Sequence, residues 1–422
     1  MRRRNVAWRT AFSDESELSR HNDCTCGVRR GRPPRAVNRT CRDSRRAMRR
    51  MRHRARGPGM QDALKAESAS STSSTPTRTP IGVRAQAPDA SALASHPAST
   101  PRAPRATAPR TRSGRASTTG EVAGIRVTSA RRVIDVQSGI RKLDLVRYYA
   151  RVAPLLLPHL RDRPVSLVRA PQGLAGETFF QRHSARAPID GVTQHDGLDP
   201  GQPAILSIDT LEALVQVAQM DTIELHTWNA LASDVEHPDR VVFDLDLDPD
   251  PALGWDRVIE AAQLTRGVLA DLGLESFCKT SGGKGLHVIV PVVPGTSWDE
   301  SKAFARAVSQ RLASGWPTQF TATMGPAHRK KKVYVDYLRN ARGASTAVAW
   351  GVRARPGMGV SVPIGWDELT QTTGGAHWSL ADLDALRARM AQVRRADPWA
   401  AYAGVRQAVT SELTLRLEEG GA

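Results

Sequence analysis

The stretch VVFDLDLDPD (residues 241–250) decides the fold class, because apolar and acidic side chains alternate along it with a period of two. Such alternation is typical of a β-strand with one buried face. Asp244, Asp246 and Asp248 would share one face, with neighbours about 6.6 Å apart. Clustered carboxylates repel one another unless a cation lies between them, and their oxygens suit Mg²⁺ or Mn²⁺. The stretch predicts a metal site on a sheet; alternatively, the strand exits to solvent and the acids flank a turn.

The residues around this strand predict further strands and helices. The strand-like segments RVVFDLDL, ESFCKTS, LHVIVPV and KVYVDYL are separated by the helix-like segments WDRVIEAAQLTRGVLADLG and DESKAFARAVSQRLASG. Upstream, IRKLDLVRYYARVAPLLLPHL predicts a helix that ends near Pro158, and DTLEALVQVAQM predicts a short helix capped by Asp209. The pattern indicates a mixed sheet with helices, of the α+β or α/β class.

The N-terminal part has a different composition from the rest. Residues 1–120 hold 26 Lys and Arg against 8 Asp and Glu, so the whole formal excess of +18 lies there. Arg-rich runs and Ser, Thr and Pro tracts cannot bury enough apolar surface to offset the entropy of ordering. We predict a disordered basic arm over 1–120, which is either a nucleic-acid-binding tail or the product of a misassigned start codon. A folded domain would span 121–410, followed by a tail over 411–422.

Cysteine usage and hydropathy indicate the compartment. Four cysteines give no disulfide framework, and the spacing of CTC lacks a downstream partner pair that would indicate zinc. No apolar run reaches the roughly 18 residues that a membrane span needs, and no signal peptide is recognisable. These features predict a cytoplasmic, nucleoid-associated protein without membrane contact.

A glycine-rich turn, KTSGGKGLHVIVP, lies between two predicted strands. Gly282 and Gly283 would let backbone N–H groups approach a phosphate. Ser281 would add a hydroxyl and Lys284 a charge, and His287 follows on the outgoing strand. An ordinary hairpin needs glycine but not these three side chains together, so the turn predicts an anion-binding site.

Further charged residues fall close to the predicted strands. Asp336 lies between apolar neighbours in KVYVDYL, so a second strand presents an acid from a core context. A structural Asp–Arg pair is the alternative there. Arg329 precedes this strand, and Arg353 and Arg355 would share one strand face in WGVRARPG, where guanidinium groups suit phosphates. Solvated surface charge is the alternative for these arginines.

Together these motifs resemble the polymerase domain of bacterial ATP-dependent DNA ligase D, a member of the archaeo-eukaryotic primase superfamily. The resemblance covers residues 124–410 and rests on TFFQRH, ELHTWNA, PDRVVFDLD, KTSGGKGLHVIVP, VYVDYLRNARG, VRARPG and ADPWAAYAGVRQAV. It implies an α+β fold of the primase-polymerase type, with a mixed or antiparallel sheet core and flanking helices. The activity it implies is template-dependent nucleotidyl transfer that extends primers or fills gaps at double-strand breaks in non-homologous end joining.

The resemblance also implies the cofactor and substrate sites. The family's metal-binding acids match Asp244, Asp246 and Asp336, which would hold two Mn²⁺ or Mg²⁺ ions for in-line transfer from an NTP or dNTP. His226 would lie near the nucleotide sugar, and Phe180 would stack on the incoming base. The residues that would grip the triphosphate are Ser281, Gly282, Gly283, Lys284, His287, Arg329, Arg353 and Arg355.

DNA contacts and partner proteins follow from the same resemblance. Arg132, Lys142 and Arg169 would face DNA, with Lys142 reaching the 5′-phosphate of a DNA end. We find no Lys-x-Asp-Gly adenylation motif of a ligase and no phosphoesterase domain in the sequence. A DNA ligase and a Ku-type end-binding protein are therefore the expected partners, and the chain is either a stand-alone polymerase or a fragment of a longer ligase.

The acidic strand departs from the family pattern. The family has Phe-Asp-Leu-Asp-Pro, whereas Leu247 and Asp248 precede Pro249 here. The metal pair is therefore Asp244 with Asp246 or Asp246 with Asp248, and the spacing from HTWNA favours the former. Three alternating acids also permit a slipped register. Two other hypotheses stay open: a DNA end-binding module that has lost its chemistry, and a haloacid-dehalogenase-like phosphatase with Asp244 as nucleophile.

Overall fold

The computed structural model describes residues 120–184, 188–248 and 253–419. The predicted basic arm lies outside the described residues except for Gly120, and so do three of the four cysteines. No helix within the described ranges has the length and apolar character to cross a bilayer. The described chain forms two six-stranded sheets, two short hairpins and flanking helices, which confirms the predicted α+β class.

The elements follow one another in an irregular alternation of short strands and longer helices. The strands are β1 (Gly120–Val122), β2 (Ile125–Val127), β3 (Val133–Asp135), β4 (Ile140–Arg141), β5 (Val165–Arg169), β6 (Phe179–Gln181), β7 (Thr193–His195), β8 (Ile205–Ser207), β9 (Thr222–Thr227), β10 (Arg240–Leu247), β11 (Phe277–Thr280), β12 (Gly285–Pro291), β13 (Phe320–Thr321), β14 (Val333–Asp336), β15 (Thr346–Ala347) and β16 (Pro363–Ile364). The helices are α1 (Lys142–Leu156), α2 (Leu211–Gln219), α3 (Asp256–Asp271), α4 (Trp298–Gly315), α5 (Pro326–Arg329), α6 (Leu383–Arg395) and α7 (Ser411–Glu419).

The strand that carries the acids is central in its sheet, which we call the acidic sheet. Its order is β13-β14-β10-β12-β11-β16, and every pairing is antiparallel except the parallel pair of β13 and β14. The apolar side chains of β10 meet the helices on one face: Phe243 and Leu245 share a buried cluster with Val258 of α3 and Phe304 of α4. Each such side chain contributes about 1.5–3 kcal/mol when fully buried. Alternation then leaves the acids on the opposite face, away from α3 and α4.

The second sheet has the order β15-β9-β5-β8-β7, with β6 paired to β5. Its core is completed by α1, in which Leu145, Val146 and Tyr149 are buried. A buried lysine links the two sheets: the ammonium of Lys279 on β11 donates to the carbonyl of Ala347 on β15 at 2.9 Å. Residues from both sheets can therefore contribute to one site.

One predicted helix end differs from the structure and one agrees with it. The short helix after β8 is capped by Thr210, whose hydroxyl accepts from the Ala213 N–H at 3.1 Å, and not by Asp209. Asp209 instead accepts from the backbone N–H of Asp162 at 2.7 Å, so its carboxylate is engaged elsewhere. The first predicted helix ends as α1 at Leu156, two residues before Pro158.

The chain from 411 onward is ordered as a helix as far as Glu419, where we had expected only a tail. Helix α7 packs against α4 and places Leu417 in the same cluster as Phe304. Val409, just before α7, is also buried there. The C-terminal helix thus belongs to the core of the acidic sheet.

A buried asparagine completes the edge of β10 where β14 no longer pairs with it. The ladder between the two strands runs only from Asp244 to Leu247 on β10. Beyond it, Asn340 Oδ1 accepts from the Val242 N–H at 2.8 Å, and Asn340 Nδ2 donates to the Val242 carbonyl at 2.8 Å. The side-chain amide thereby takes the place of a strand residue and satisfies backbone groups that would otherwise be buried without partners.

Candidate active site

Three of the predicted site residues form a row across the acidic sheet. Asp244 on β10 pairs with Asp336 on β14 on one side and with His287 on β12 on the other. All three are nearly inaccessible, at 7%, 6% and 2% exposure. Asp246 lies two residues along β10 and therefore shares this face. We call these four residues the acidic row; strand pairing brings them together from three segments distant in sequence.

The register distinguishes the two candidate acid pairs. Asp246 is opposite Tyr334 on β14, so the acid of the second strand faces Asp244. Asp248 follows the last residue of β10, and its carboxylate accepts from the Lys331 N–H at 3.1 Å. The geometry therefore favours Asp244 with Asp246 over Asp246 with Asp248.

Two arginines lie against the acids. Arg339 Nε is 3.4 Å from Asp244 Oδ2 and 3.3 Å from Asp336 Oδ2, so its guanidinium lies between the two carboxylates. Arg329, which ends α5, has its nearest guanidinium nitrogen 4.0 Å from Asp246 Oδ2 and lies over the Tyr334 ring. Arg329 was predicted to bind the triphosphate, whereas in this structure its neighbour is an acid.

Burial and neighbouring charges determine which of the facing residues Asp244 and His287 is charged. Burial opposes the charge of Asp244, but its contacts with His287 and Arg339 outweigh burial and hold the pKa of Asp244 below its ordinary value. Burial, with the nearby Lys279 ammonium, lowers the pKa of His287 to about 4. At neutral pH the pair therefore consists of a carboxylate and a neutral imidazole.

The other two acids shift in the opposite direction. Burial and the neighbouring charge of Asp244 raise the pKa of Asp246 to about 6, although Arg329 and Arg339 oppose this. Burial also raises the pKa of Asp336, and Asp244 adds to the effect against the attraction of Arg339. Burial, with the charge of Asp244, thus makes these two carboxylates harder to ionise than Asp244 itself.

We predict that Asp246→Asn stabilises the metal-free protein at neutral pH but not in acid. The folded pKa of about 6 exceeds the ordinary value of 3.8, so the stabilising proton is bound below pH 4 and is lost as the pH rises through 6. For a fully buried carboxylate, this pKa shift would correspond to a change of ~3 kcal/mol in the free energy of unfolding. Because Asp246 is partly exposed, we expect about 1–2 kcal/mol. Urea unfolding with chelator at about pH 3.5, below both pKa values, and at pH 7.5 measures the difference. Asp384→Asn, at an exposed acid, is the control; an equal offset at both pH values would contradict the prediction.

The glycine turn after β11 is tightly packed. Gly282 has a φ of +68°, and a Cβ there would lie 2.8 Å from Arg353 Cγ and 2.9 Å from the Ser361 N. The Ser281 hydroxyl accepts from the N–H groups of Gly283 and Gly285 at 3.1 Å each. The Gly283 N–H, which we predict to approach a phosphate, is bound to the serine hydroxyl here, so a phosphate would have to displace that contact. The side chain of Lys284 is exposed at the tip.

Arg353 and Arg355 do not share a strand face as predicted. Only the neighbouring Val352 makes an isolated bridge, and the chain then turns at Pro356 and Gly357, where φ is +80°. Arg353 nevertheless reaches the glycine turn, since its NH1 donates to the Ser281 carbonyl at 3.0 Å. Arg355 is exposed, and its guanidinium carbon lies 3.8 Å from the position of a Cβ on Gly283.

The two residues predicted to contact the sugar and the base both lie on the second sheet. His226 on β9 donates from Nε2 to Glu224 at 2.6 Å. Phe180 on β6 is 47% exposed, and its ring lies edge-on to His226 with centroids 6.1 Å apart. An exposed aromatic ring beside a half-buried imidazole is a suitable stacking platform for a base.

The three residues predicted to face DNA converge on one turn. Arg132 and Lys142 both pair with Asp221, and Arg169 donates to the Met220 carbonyl at 2.9 Å. Lys142 is only 2% exposed, with Nζ 3.0 Å from Asp221 Oδ1. Lys142, which we predict to reach the 5′-phosphate of a DNA end, is thus buried with its charge paired to Asp221.

Three residues that the sequence did not single out take part in this region. Arg339 lies between two acids, Lys279 is buried beside His287 on the neighbouring strand, and Glu224 binds two other predicted residues. Arg339 follows Asp336 by three residues in a 3-10 turn, which is a usable signal for an ion pair. Glu224 precedes His226 by two residues in a strand, which places both on one face.

The acids fit a hard divalent cation by their chemistry. Asp244 Oδ1 is buried, and its nearest nitrogen, His287 Nε2, is 3.4 Å away and not in good hydrogen-bond geometry, which is costly unless something else binds this oxygen. Carboxylate oxygens are the donors that Mg²⁺ and Mn²⁺ prefer. Within the described ranges, however, no three His, Cys, Asp or Glu side chains converge as a ready ligand set, and the Arg339 guanidinium lies between two of the acids. An ion held by Asp244, Asp246 and Asp336 would take over the role of that cation.

Comparisons with known proteins show the family of the chain. Residues 141–399 match the family model described as LigD, primase-polymerase domain. The multifunctional non-homologous end joining protein LigD of Pseudomonas aeruginosa is 50% identical over 309 residues, which are 73% of this chain and 36% of the relative. The protein of the same name from Mycolicibacterium smegmatis is 33% identical over 251 residues, 58% of this chain and 32% of the relative.

A solved structure shows the same fold. The polymerase domain from Mycobacterium tuberculosis ligase D in complex with DNA superposes with a TM-score of 0.57 and 28% identity, over 65% of this chain and 95% of that chain. The present chain spans about a third of the length of the curated relatives, at 36% and 32%. Since the family model covers most of the sheets and helices described above, the chain belongs to the LigD primase-polymerase domain family.

Proposed function

We propose that the protein is a template-dependent nucleotidyltransferase that extends primers or fills gaps at DNA double-strand breaks during non-homologous end joining. The observation that carries this proposal is the acidic row, in which Asp244 lies between Asp336 and His287 beside a glycine turn. The curated relatives are named as end-joining proteins, which supports the same setting. The phosphatase hypothesis is dropped, because membership of this family gives it no support.

Separate groups of residues would bind the nucleotide and the primer. Ser281, Lys284, Arg353 and Arg355 surround the glycine turn and would hold the triphosphate. His287 Nδ1 is buried without a hydrogen-bond partner and His287 Nε2 faces Asp244 Oδ1 at 3.4 Å, so His287 would bind the triphosphate as a protonated imidazolium with an N–H on Nδ1. Gly282, Gly283 and Arg329 would complete this set, although the Gly283 N–H is bound to Ser281 in the present conformation.

The acids would provide the environment for the chemical step. Asp244, Asp246 and Asp336 would hold two Mn²⁺ or Mg²⁺ ions, which when bound supply charge for the attacking 3′-hydroxyl and for the departing pyrophosphate. Because the pKa of Asp244 is low, it is ionised at neutral pH without assistance. Asp246 and Asp336 have raised pKa values, so a neighbouring cation would favour their charged forms.

The nucleoside and the DNA would be bound by the second sheet and the basic group. Phe180 would stack on the incoming base and His226 would lie near the sugar. Arg132, Lys142 and Arg169 would bind the DNA end, including its 5′-phosphate, and the structural neighbour was itself solved with DNA. The Lys142 ammonium is buried and pairs with Asp221. It would therefore have to bind Asp221 and the 5′-phosphate at the same time. A ligase and a Ku-type protein are the partners that this reaction would require in the cell.

The proposal predicts that the full chain adds a labelled nucleotide to a recessed DNA end in the presence of Mn²⁺. The substrate carries a downstream 5′-phosphate, and only the nucleotide complementary to the template base is expected to be incorporated efficiently. Extension is measured on a denaturing gel, with chelator and a template-free primer as controls. DNA binding without extension would instead support the end-binding hypothesis, and release of phosphate alone would contradict both.

A further inference from the structure

A buried carboxylate outside the acidic row binds two of the residues that would contact the nucleotide. Glu224 on β9 is 7% exposed. Its Oε2 accepts from His226 Nε2 at 2.6 Å and from Arg353 Nε at 2.9 Å, and its Oε1 accepts from the Ala354 N–H at 2.7 Å. Each of its oxygens is therefore engaged, and each partner is fixed by a charge-assisted hydrogen bond.

The same contacts connect Glu224 to the glycine turn. While Arg353 Nε binds Glu224, Arg353 NH1 donates to the Ser281 carbonyl at 3.0 Å. The tight packing of Gly282 on Arg353 Cγ leaves the arginine little freedom to shift along the turn. A continuous connection thus runs from the second sheet, through one guanidinium, to the turn on the acidic sheet.

The chemistry of these contacts restricts what His226 and Arg353 can offer a ligand. A carboxylate can only accept, so His226 carries its proton on Nε2 toward Glu224 and leaves Nδ1 for other partners. Burial opposes the charge of Glu224, but His226 and Arg353 outweigh it and hold its pKa at about 2. The carboxylate is therefore ionised throughout the physiological pH range, and it keeps His226 and Arg353 in one arrangement.

We propose that Glu224 is a positioning residue for the incoming nucleotide, which orients the His226 imidazole and the Arg353 guanidinium and couples both to the Ser281–Gly285 turn. This inference rests on the proposed function and adds a residue to it. Glu224 does not itself touch substrate in this account. It acts through two side chains, one expected at the sugar and one at the triphosphate.

Glu224→Gln tests this role. The glutamine side chain has the same size, but its amide N–H groups cannot accept hydrogen bonds from the donors that the carboxylate binds. We expect the Kd and KM for the nucleotide to rise about 10- to 100-fold. The kcat should change by less than about threefold, since the acidic row is intact. Affinity for nucleotide-free DNA should be unaltered. Glu260→Gln, which affects the 3.2 Å surface pair with Arg257 on α3, is the matched control and should change none of these values.

A second variant keeps the test decisive if Glu224→Gln lowers the melting temperature. Lysine cannot bridge Glu224 and the Ser281 carbonyl as the guanidinium fork does, so Arg353→Lys should show the same nucleotide defect. The loss in the double variant should be smaller than the sum of the two single losses, because both changes break the contact between Glu224 and Arg353. Additive losses, or unaltered nucleotide binding by a folded Glu224→Gln protein, would overturn the positioning role. Failure of the wild-type protein to bind a fluorescent nucleotide or to extend a primer would overturn the proposed function itself.

Discussion

Replacing Asp244 by asparagine is expected to abolish nucleotide incorporation, by about 10³-fold or more, which corresponds to ~4 kcal/mol of lost transition-state stabilisation. Within the described part of the acidic sheet, Asp244 is the only acid of the row that lies opposite another acid on one neighbouring strand and opposite an imidazole on the other. Its Oδ1 is buried with only His287 Nε2 nearby, at 3.4 Å, and the pKa of Asp244 is held low. Asparagine has the same shape but removes the charge that a divalent cation needs. Primer extension with Mn²⁺ measures the loss.

A comparison among three aspartates makes this prediction specific. Asp336→Asn should have a loss of the same order, because its carboxylate lies beside that of Asp244. Asp248→Asn should retain extension within about fivefold, since Asp248 lies beyond β10 and binds the Lys331 N–H. DNA-end affinity should persist in all three variants. Loss of extension in Asp248→Asn with retention in Asp244→Asn would reverse the assignment of the metal pair.

Strand character was predictable from the sequence because side-chain alternation is a local property. The period of two over β10 separates Phe243 and Leu245 from Asp244 and Asp246, and the helices α3 and α4 cover the apolar side as expected. Strand pairing is not local. The register of β14 on β10 pairs Asp336 with Asp244 and Tyr334 with Asp246. This register depends on where the preceding chain places the start of β14. The sequence therefore indicated which strands carry acids but not which acids face one another.

Charged side chains were the least predictable, because their partners lie far away in the sequence. Lys142 is basic and was expected at the DNA surface, yet it is buried against Asp221. Arg353 was expected to bind phosphate alone, yet Glu224 and the Ser281 carbonyl occupy part of its guanidinium. Composition identifies such groups as charged, but only the packing of two sheets shows which charges are already compensated.

The largest loss of stability is expected from Asn340→Leu, at about 2–4 kcal/mol. The amide of Asn340 binds both backbone groups of Val242 and also donates to the Tyr337 carbonyl at 3.0 Å. Leucine fills a similar volume, so the loss reflects the unsatisfied N–H and carbonyl of Val242 in a buried strand and not a cavity. The free energy of unfolding in urea measures it, provided that the slope with denaturant is unaltered.

The consequences of Asn340→Leu should extend to the acidic row, which distinguishes it from an ordinary core defect. Val242 precedes Asp244 by two residues on β10, and Asn340 follows Arg339, whose guanidinium lies between Asp244 and Asp336. Loss of this contact should therefore loosen both sides of the site, and primer extension should fall even where the variant is fully folded. Gln310→Leu, the same kind of change on an exposed position of α4, should alter stability by less than about 0.5 kcal/mol. Equal stability of Asn340→Leu and wild type would show that β10 does not depend on the asparagine to complete its edge.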